Sequence, residues 1–531
     1  VPDQLKDPPA HEHHQRRLPR ERTPDRIEHG ECDRRQDGSA QIDREVEQQD
    51  GDRENHGQIR RTDVDARGQP HQARHDRRYA DRMAEAIARI AVVAGIIGEQ
   101  LDLVHGGPPP SGLENDDLPA GDASPLSQAE RRPTVTNYMF MPTLEVPDAL
   151  AEDVIAVRRD LHMHPELGFA EHRTAGIVAA RLRALGYDVH EGIGTTGVVG
   201  LLRGTRPGRT IMLRADMDAL PLQEERDHAY RSRVDGAMHA CGHDGHVAIL
   251  LGAAALIADR REELAGTVCL VFQPAEEGLG GAKAMLDDGL IERFGIERAY
   301  GLHLNSKYPT GILGFREGPF YASSDSIEID VLGVGGHGSA PHDAVDPIWA
   351  ASNIVVGLQQ MVARKIDPLQ PAVVSICAIH GGTIHNVIPR TCTLLGTVRA
   401  FDDEVRSAMP ERIERVVESC CSAAGATYRF RYLWRYPVTV NDTDQTAYAR
   451  ALAIRHFGDD RVVEASRLMG AEDFSFYAQR VPACIYALGC RGGAESSHPH
   501  HSSLFDIDES ALATGVAMMA ALAFDAPRKA P

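Results

Sequence analysis

The feature that most constrains this chain is a set of short, nearly continuous apolar runs, each breaking into groups that bind cations. Thr267 to Gln273 reads Thr-Val-Cys-Leu-Val-Phe-Gln, which predicts a strand buried on both faces of a parallel sheet. It opens into Pro274-Ala275-Glu276-Glu277-Gly278. Ala299-Tyr300-Gly301-Leu302 leads into His303, and Thr210 to Arg214 leads into Asp216-Met217-Asp218. Ala483 to Leu488 precedes a glycine-rich loop carrying His498, His500 and His501. In open parallel sheets the ligand crevice lies outside the carboxyl ends of the strands, so groups distant in sequence converge there.

The densest group is His239 to His246, His-Ala-Cys-Gly-His-Asp-Gly-His, directly ahead of an apolar run from Val247. Cys241 and His243 face one cation if Gly242 lets the backbone turn between them. Glu276 and Glu277 repel each other and are costly to desolvate, which a nearby dication or arginine would explain. Neighbouring side chains on an extended backbone point to opposite sides, so one Glu holds a metal while the other reaches a metal-activated water. Plainer readings stand beside these: a capped helix N-terminus, a solvated acidic loop, and ordinary surface or core histidines. Cys241 as a nucleophile is a further alternative. It puts its base in the same tight loop and leaves Glu276, Glu277 and His303 without a role.

Seven motifs then occur in order: Leu161-His162-Met163-His164-Pro165-Glu166-Leu167, Arg214-Ala215-Asp216-Met217-Asp218-Ala219-Leu220-Pro221, Met238 to His246, Gln273 to Gly278, Gly336-His337-Gly338-Ser339-Ala340-Pro341-His342, Asn386-Val387-Ile388-Pro389 and Gly470-Ala471-Glu472-Asp473-Phe474. From Asp148 to Phe524 the chain resembles the family of two-metal amidohydrolases that contains hippurate hydrolase, the plant indole-acetyl-amino-acid hydrolases and related aminoacylases and carboxypeptidases. The resemblance implies two divalent ions per subunit, held by Cys241, His243, Glu277, His303 and a C-terminal histidine. The family's C-terminal motif is similar to His-x-Pro-x-Phe. Counting back four from Phe505 selects His501, with Ser503 in place of the proline and His498 and His500 beside it.

By the same resemblance, Glu276 is the general base for a metal-activated water and Asp218 orients a ligand. His337 is similar to a histidine that reaches the substrate oxygen from the partner subunit and stabilises the oxyanion. Asn386 is similar to a residue that holds substrate polar groups; its other reading is a turn-forming Asn. Thiolate, imidazole and carboxylate together suit Mn²⁺, which is favoured, or Zn²⁺, Co²⁺ or Ni²⁺. The implied reaction is cleavage of N-acyl amino acids of hippurate-like, N-acetyl or indole-acetyl type. The alternatives are a dipeptidase or deacetylase of the same fold, or a metal-binding module without catalysis, against which the intact Glu276 stands.

With 531 residues, 42% of them hydrophobic, and a net charge of −20, the chain buries more than one core and is no nucleic-acid binder. No apolar stretch approaches the ~20 residues a bilayer demands. Nine cysteines, an odd total without paired spacing or a secretory leader, argue for reduced thiols in a cytoplasm.

Residues 1–137 are rich in Arg, Asp, His, Gln and Pro and read as disordered, with a short helix around Arg82 to Val104. They are either a non-native extension ahead of Met139 and Met141 or an interaction tail. Beyond them the fold class is α/β. Residues 148–323 and 435–525 form a discontinuous catalytic domain of metallo-exopeptidase type around a mostly parallel sheet. Residues 324–434 follow a β-α-β-β-α-β order, that of a ferredoxin-like insert. The resemblance makes this a lid and dimerisation domain in a homodimer or higher homo-oligomer.

Overall fold

The computed structural model describes residues 144–527, so the expectations for residues 1–137 lie outside the described residues. In chain order the first elements are α1 (Asp148–Met163), α2 (His172–Ala184), β1 (Asp188–Ile193), β2 (Gly197–Arg203), β3 (Arg206–Asp216), α3 (His243–Asp259), β4 (Ala265–Gln273), α4 (Gly281–Asp287), α5 (Leu290–Phe294) and β5 (Arg298–Pro309). Then come β6 (Leu313–Phe315), β7 (Gly318–Tyr321), β8 (Ser324–Leu332), β9 (Gly336–His337), α6 (Pro347–Lys365), β10 (Ala372–Gly381), β11 (Val387–Ile388), β12 (Thr391–Ala400), α7 (Asp403–Ala424) and β13 (Thr427–Tyr436). The chain closes with β14 (Thr439–Asn441), α8 (Thr443–Phe457), β15 (Val462–Glu464), α9 (Ser475–Ala478), β16 (Ala483–Arg491) and α10 (Ala511–Asp525).

The main sheet runs β1-β2-β4-β3-β5-β16-β6-β15. Its centre, β4-β3-β5-β16, is parallel, while β1-β2, β2-β4 and β16-β6 pair antiparallel. The sheet is therefore mixed, with its antiparallel pairings on the flanks. The period of two decides which core each strand side chain enters. In β4, Val268, Leu270 and Phe272 join the core beneath α1, α3 and α10, and Cys269 and Val271 join the core on the other face. In β16, Tyr486 and Leu488 take the first side and Ile485 and Ala487 the second. Each large apolar side chain fully buried this way contributes about 1.5–3 kcal/mol. Helix α3 is buried almost all round, which is why its sequence shows no polar face.

The insert has a different economy of burial. Strand β8 alternates half-buried and buried residues, with Ile327, Ile329 and Val331 inward, so only one face of its sheet is covered. The sheet order β10-β12-β8-β13 is antiparallel throughout. Helices α6 and α7 cover it through Ile354, Leu358, Ile413 and Val417. Asp346 caps α6 by accepting from Ile348 N–H at 2.9 Å, and Asp402 caps α7 by accepting from Val405 N–H at 2.9 Å. The four strands of this sheet and its two helices follow in the order β8-α6-β10-β12-α7-β13, with the two-residue β9 and β11 between them. Among the described residues no helix is long and apolar enough to cross a membrane.

Candidate metal and active site

The segments after β3 and β4, a residue of β5 and the loop after β16 meet at the N-terminus of α3. Gly242 has φ +87, the left-handed turn that carries the chain from Cys241 into the first helical residue, His243. His243 Nδ1 donates to the Asp218 carbonyl at 2.9 Å, which leaves Nε2 buried and without a hydrogen-bond partner among the described residues. His303 Nδ1 likewise donates to the Leu304 carbonyl at 2.7 Å, and its Nε2 lies 3.6 Å from Cys241 Sγ. His501 Nε2 lies 3.2 Å from Glu277 Oε1, an ion-pair distance, although that oxygen has no partner in hydrogen-bond geometry.

Overlapping donor sets within 4.8 Å include Cys241, His243 and His303; Cys241, Glu277 and His501; His243, Glu276 and Glu277; and Asp216, His243 and His246. Far-side nitrogens tied to carbonyls with lone pairs facing a thiol and a carboxylate are what a metal centre requires. This donor set fits a pair of divalent cations.

The C-terminal histidines separate by what already holds them. His500 Nε2 accepts from Ser306 N–H at 3.4 Å and its Nδ1 is 3.8 Å from Cys241 Sγ. Burial, then the neighbouring His303 and His501, push its pKa well down. The neighbouring Cys241 and Glu277 raise the His501 pKa to about 10. His498 does not line the cavity that His500 and His501 share. His246 has both nitrogens engaged: Nδ1 meets Asp216 Oδ1, and Nε2 accepts from Leu304 N–H at 2.9 Å.

The Glu276-Glu277 turn is held by its backbone. Ala275 N–H donates to Glu171 Oε1 at 2.9 Å, Glu276 N–H to Asp218 Oδ1 at 3.0 Å and Glu277 N–H to Asp218 Oδ2 at 3.0 Å. Ala275 at φ +52 and His501 at φ +63 are both non-glycine residues in left-handed conformation. Strain of this kind costs about 1–3 kcal/mol per residue and persists only where the surroundings fix it. Burial drives the Glu276 carboxyl well above its ordinary range, and Glu472, Glu277 and Asp473 add to the rise. Burial opposes charge on His243, yet Asp216 and Cys241 outweigh it and hold its pKa well up. The same anionic field favours a cation at Nε2.

Behind these groups lies a network to which no role had been given from sequence. Arg214, fully buried, donates to Asp216 at 2.7 Å, Glu472 at 2.8 Å, Asp473 at 3.0 Å and Gln273 at 2.8 Å. Its members lie inside three of the recurring motifs, which was the available signal.

A cavity of about 870 Å³ opens over the site, lined by Cys241, Glu276, Glu277, His303, His500 and His501 together with Tyr321, Arg399 and Tyr436. Tyr436, at the end of β13, donates to the Glu276 carbonyl at 2.6 Å. Arg399 comes from β12 of the insert; burial lowers its pKa against the pull of Asp325, which Arg406 already engages at 2.7 Å. His337 and Asn386 do not line this cavity. They sit beside each other on the insert, where β9 pairs with β11 and Gly338 N–H donates to the Asn386 carbonyl at 2.8 Å.

A mixed α/β sheet with a thiol, imidazoles and paired carboxylates gathered at one cavity defines a metallohydrolase-type scaffold. Residues 212–525 match the model of peptidase family M20/M25/M40, and the chain belongs to that family. It is 44% identical to thermostable carboxypeptidase 2 of Saccharolobus solfataricus over 375 residues, 70% of this chain and 94% of that one. It is 44% identical to hippurate hydrolase of Campylobacter jejuni over 333 residues, 62% of this chain and 86% of that one. Among solved structures, a dinuclear metal-binding peptidase of family M20 from Bacillus subtilis is 36% identical and superposes with a TM-score of 0.63, covering 72% of this chain and 99% of its own.

Proposed function

We propose that this chain is a metal-dependent amidohydrolase that cleaves N-acyl amino acids into a carboxylic acid and a free amino acid. The observation that carries the reading is the buried Glu276, with its raised proton affinity, beside a converging donor set at the floor of a cavity that also holds Arg399. Cys241, His243, Glu277, His303 and His501 hold two divalent ions, Mn²⁺ favoured and Zn²⁺, Co²⁺ or Ni²⁺ also suited to these donors. When bound, such ions supply Lewis acidity and bring the pKa of water towards neutrality.

Glu276 takes the proton from the attacking water and delivers it to the departing nitrogen. Asp218 fixes the two backbone N–H groups that set where Glu276 and Glu277 point. Arg399 pairs with the substrate carboxylate, which every N-acyl amino acid carries. His337 is exposed on the insert among the exposed apolar Ile384 and Val387, which supports its reaching the substrate oxygen from a partner subunit, with Asn386 beside it. In this reading the insert, residues 324–434, is both lid and dimerisation domain of a homodimer. The eight described cysteines are free, in keeping with a cytoplasmic setting.

Arg399 also suits the carboxylate of a dipeptide, and the carboxypeptidase relative makes peptides the second substrate class. The test is amino-acid release from hippurate, N-acetyl and indole-acetyl amino acids and dipeptides, each with and without Mn²⁺. Metal-dependent turnover favouring the acyl substrates is expected. A metal-loaded protein inactive on all of them would make the chain a binding module.

A further inference from the structure

A second group of donors lies outside the catalytic cavity, between the last turn of α1 and the long segment that joins β3 to α3. His228 Nε2 is 2.7 Å from Glu224 Oε1, and His162 Nε2 is 3.4 Å from the same oxygen. One donor atom from each residue falls within 4.8 Å of the others. None of the three lines the catalytic cavity.

Their far sides are fixed. His162 Nδ1 meets Asp244 Oδ2 at 2.7 Å, and Glu224 Oε2 accepts from Ser232 N–H at 2.7 Å. A carboxylate on the far nitrogen of an imidazole is the arrangement that sets the tautomer and orientation of a ligating histidine. Two imidazoles and a carboxylate are a donor set for borderline divalent cations such as Zn²⁺.

Beside the cluster lie buried polar atoms without partners. His228 Nδ1 and both ring nitrogens of the buried His239 have no hydrogen-bond partner among the described residues, and the His239 ring lies 6.4 Å from that of His162. Arg158, which approaches His162 Nδ1 to 3.4 Å, is itself matched by Asp244, Asp506 and Glu509, so its charge does not close the pocket to a cation. His162 and Glu224 are completely buried, while the His228 side chain is 12% exposed and offers the route of entry.

We propose that His162, Glu224 and His228 bind one divalent transition-metal ion, separate from the ions of the catalytic centre. Its effect is local, added to backbone bonds that already tie the segment, such as Arg233 N–H to the Met163 carbonyl at 2.9 Å and Glu225 N–H to the Ser503 carbonyl at 3.0 Å. Between β3 and α3 the chain crosses residues 217–242 with no helix and only isolated bridges, and it must deliver Cys241 and His243 accurately. Irregular segments of that length are uncommon in compact domains without something to tie them. A metal staple from Glu224 and His228 to α1 supplies a further tie through side chains, and binding releases the proton shared between His228 and Glu224.

The full chain is stripped with a chelator, reloaded with Zn²⁺, desalted and its zinc counted by mass spectrometry of the native protein. His228→Ala is expected to lose one equivalent relative to wild type, both in the otherwise wild-type chain and in the Cys241→Ser background. Glu224→Gln, which keeps an acceptor for Ser232, gives the same loss and covers failure of the alanine variant to fold. Because the difference is read in both backgrounds, failure of the catalytic metal assignment does not mimic failure here. Equal zinc content in wild type and both variants would overturn the proposal.

Discussion

Replacing Glu276 by Gln separates chemistry from everything else the site does. The side chain keeps its shape and one oxygen, so the 3.3 Å contact from Asp473 N–H to Glu276 Oε1 retains an acceptor. The backbone bonds to Asp218 do not involve the side chain and persist. What disappears is a carboxylate forced into a buried space with Glu472, Glu277 and Asp473, so the variant should melt no lower than wild type. Loss of a general base typically costs 10² to 10⁴ in rate, about 2.7–5.5 kcal/mol of barrier at 1.36 kcal/mol per decade. The assay is steady-state kcat on an N-acyl amino acid, with metal content and Tm measured on the same sample. A fall of at least two decades at full metal content, with a Tm no lower than that of wild type, is expected. A variant within fivefold of wild-type kcat refutes the role, and one that loses metal reassigns Glu276 as a ligand.

Cys241→Ser should release at least one ion on dialysis against a weak chelator, because a hydroxyl replaces the thiolate shared by two donor sets; unchanged stoichiometry would remove Cys241 from the ligands. Glu171→Ala leaves the strained Ala275 N–H without its acceptor and lets the Glu276 turn shift. A tenfold or greater loss of kcat with little change in KM is expected. Glu171→Gln, which retains an acceptor, should recover most of it, and equal losses in both variants would argue against a positioning role. For pH dependence, burial pushes the Asp506 carboxyl up but Arg158 and the Ile507 N–H outweigh it, so its folded pKa lies below the unfolded one. Its stabilisation is complete above the unfolded value of about 4 and is lost as pH falls through the folded pKa. Asp506→Asn should cost about 1.5–3 kcal/mol at pH 7, with the gap to wild type narrowing below about pH 4 in thermal melts; a gap independent of pH would contradict this.

What the sequence makes legible, and what it does not, follows from how each contact is encoded. Strand β4 reads as a strand because its apolar residues serve two cores at once, and Cys241, His243, the Glu276-Glu277 pair, His303 and the C-terminal histidines stand out because each follows or precedes such a run, the choice within the pair and among those histidines coming from the family resemblance. Their convergence required only that the strands be neighbours. The Arg214 cluster carries no such periodic signal: its partner Glu472 is 258 positions away, and a buried arginine in a strand looks locally like an error until its carboxylates are found. Glu171 is similar, 104 positions from the Ala275 N–H it accepts. Glu171 holds the backbone just ahead of Glu276, while Arg214 ties the ends of β3 and β4 to Glu472 and Asp473. His337 and Asn386 show the opposite case, since their motifs are plain in the sequence yet one chain places them away from the cavity. Periodicity reports what a strand buries against its own chain, so it locates the strand ends at which candidate donors stand. It cannot report a side chain whose partner is a distant carboxylate, and the Glu276-Glu277 turn rests on such partners, Glu171 and Asp218.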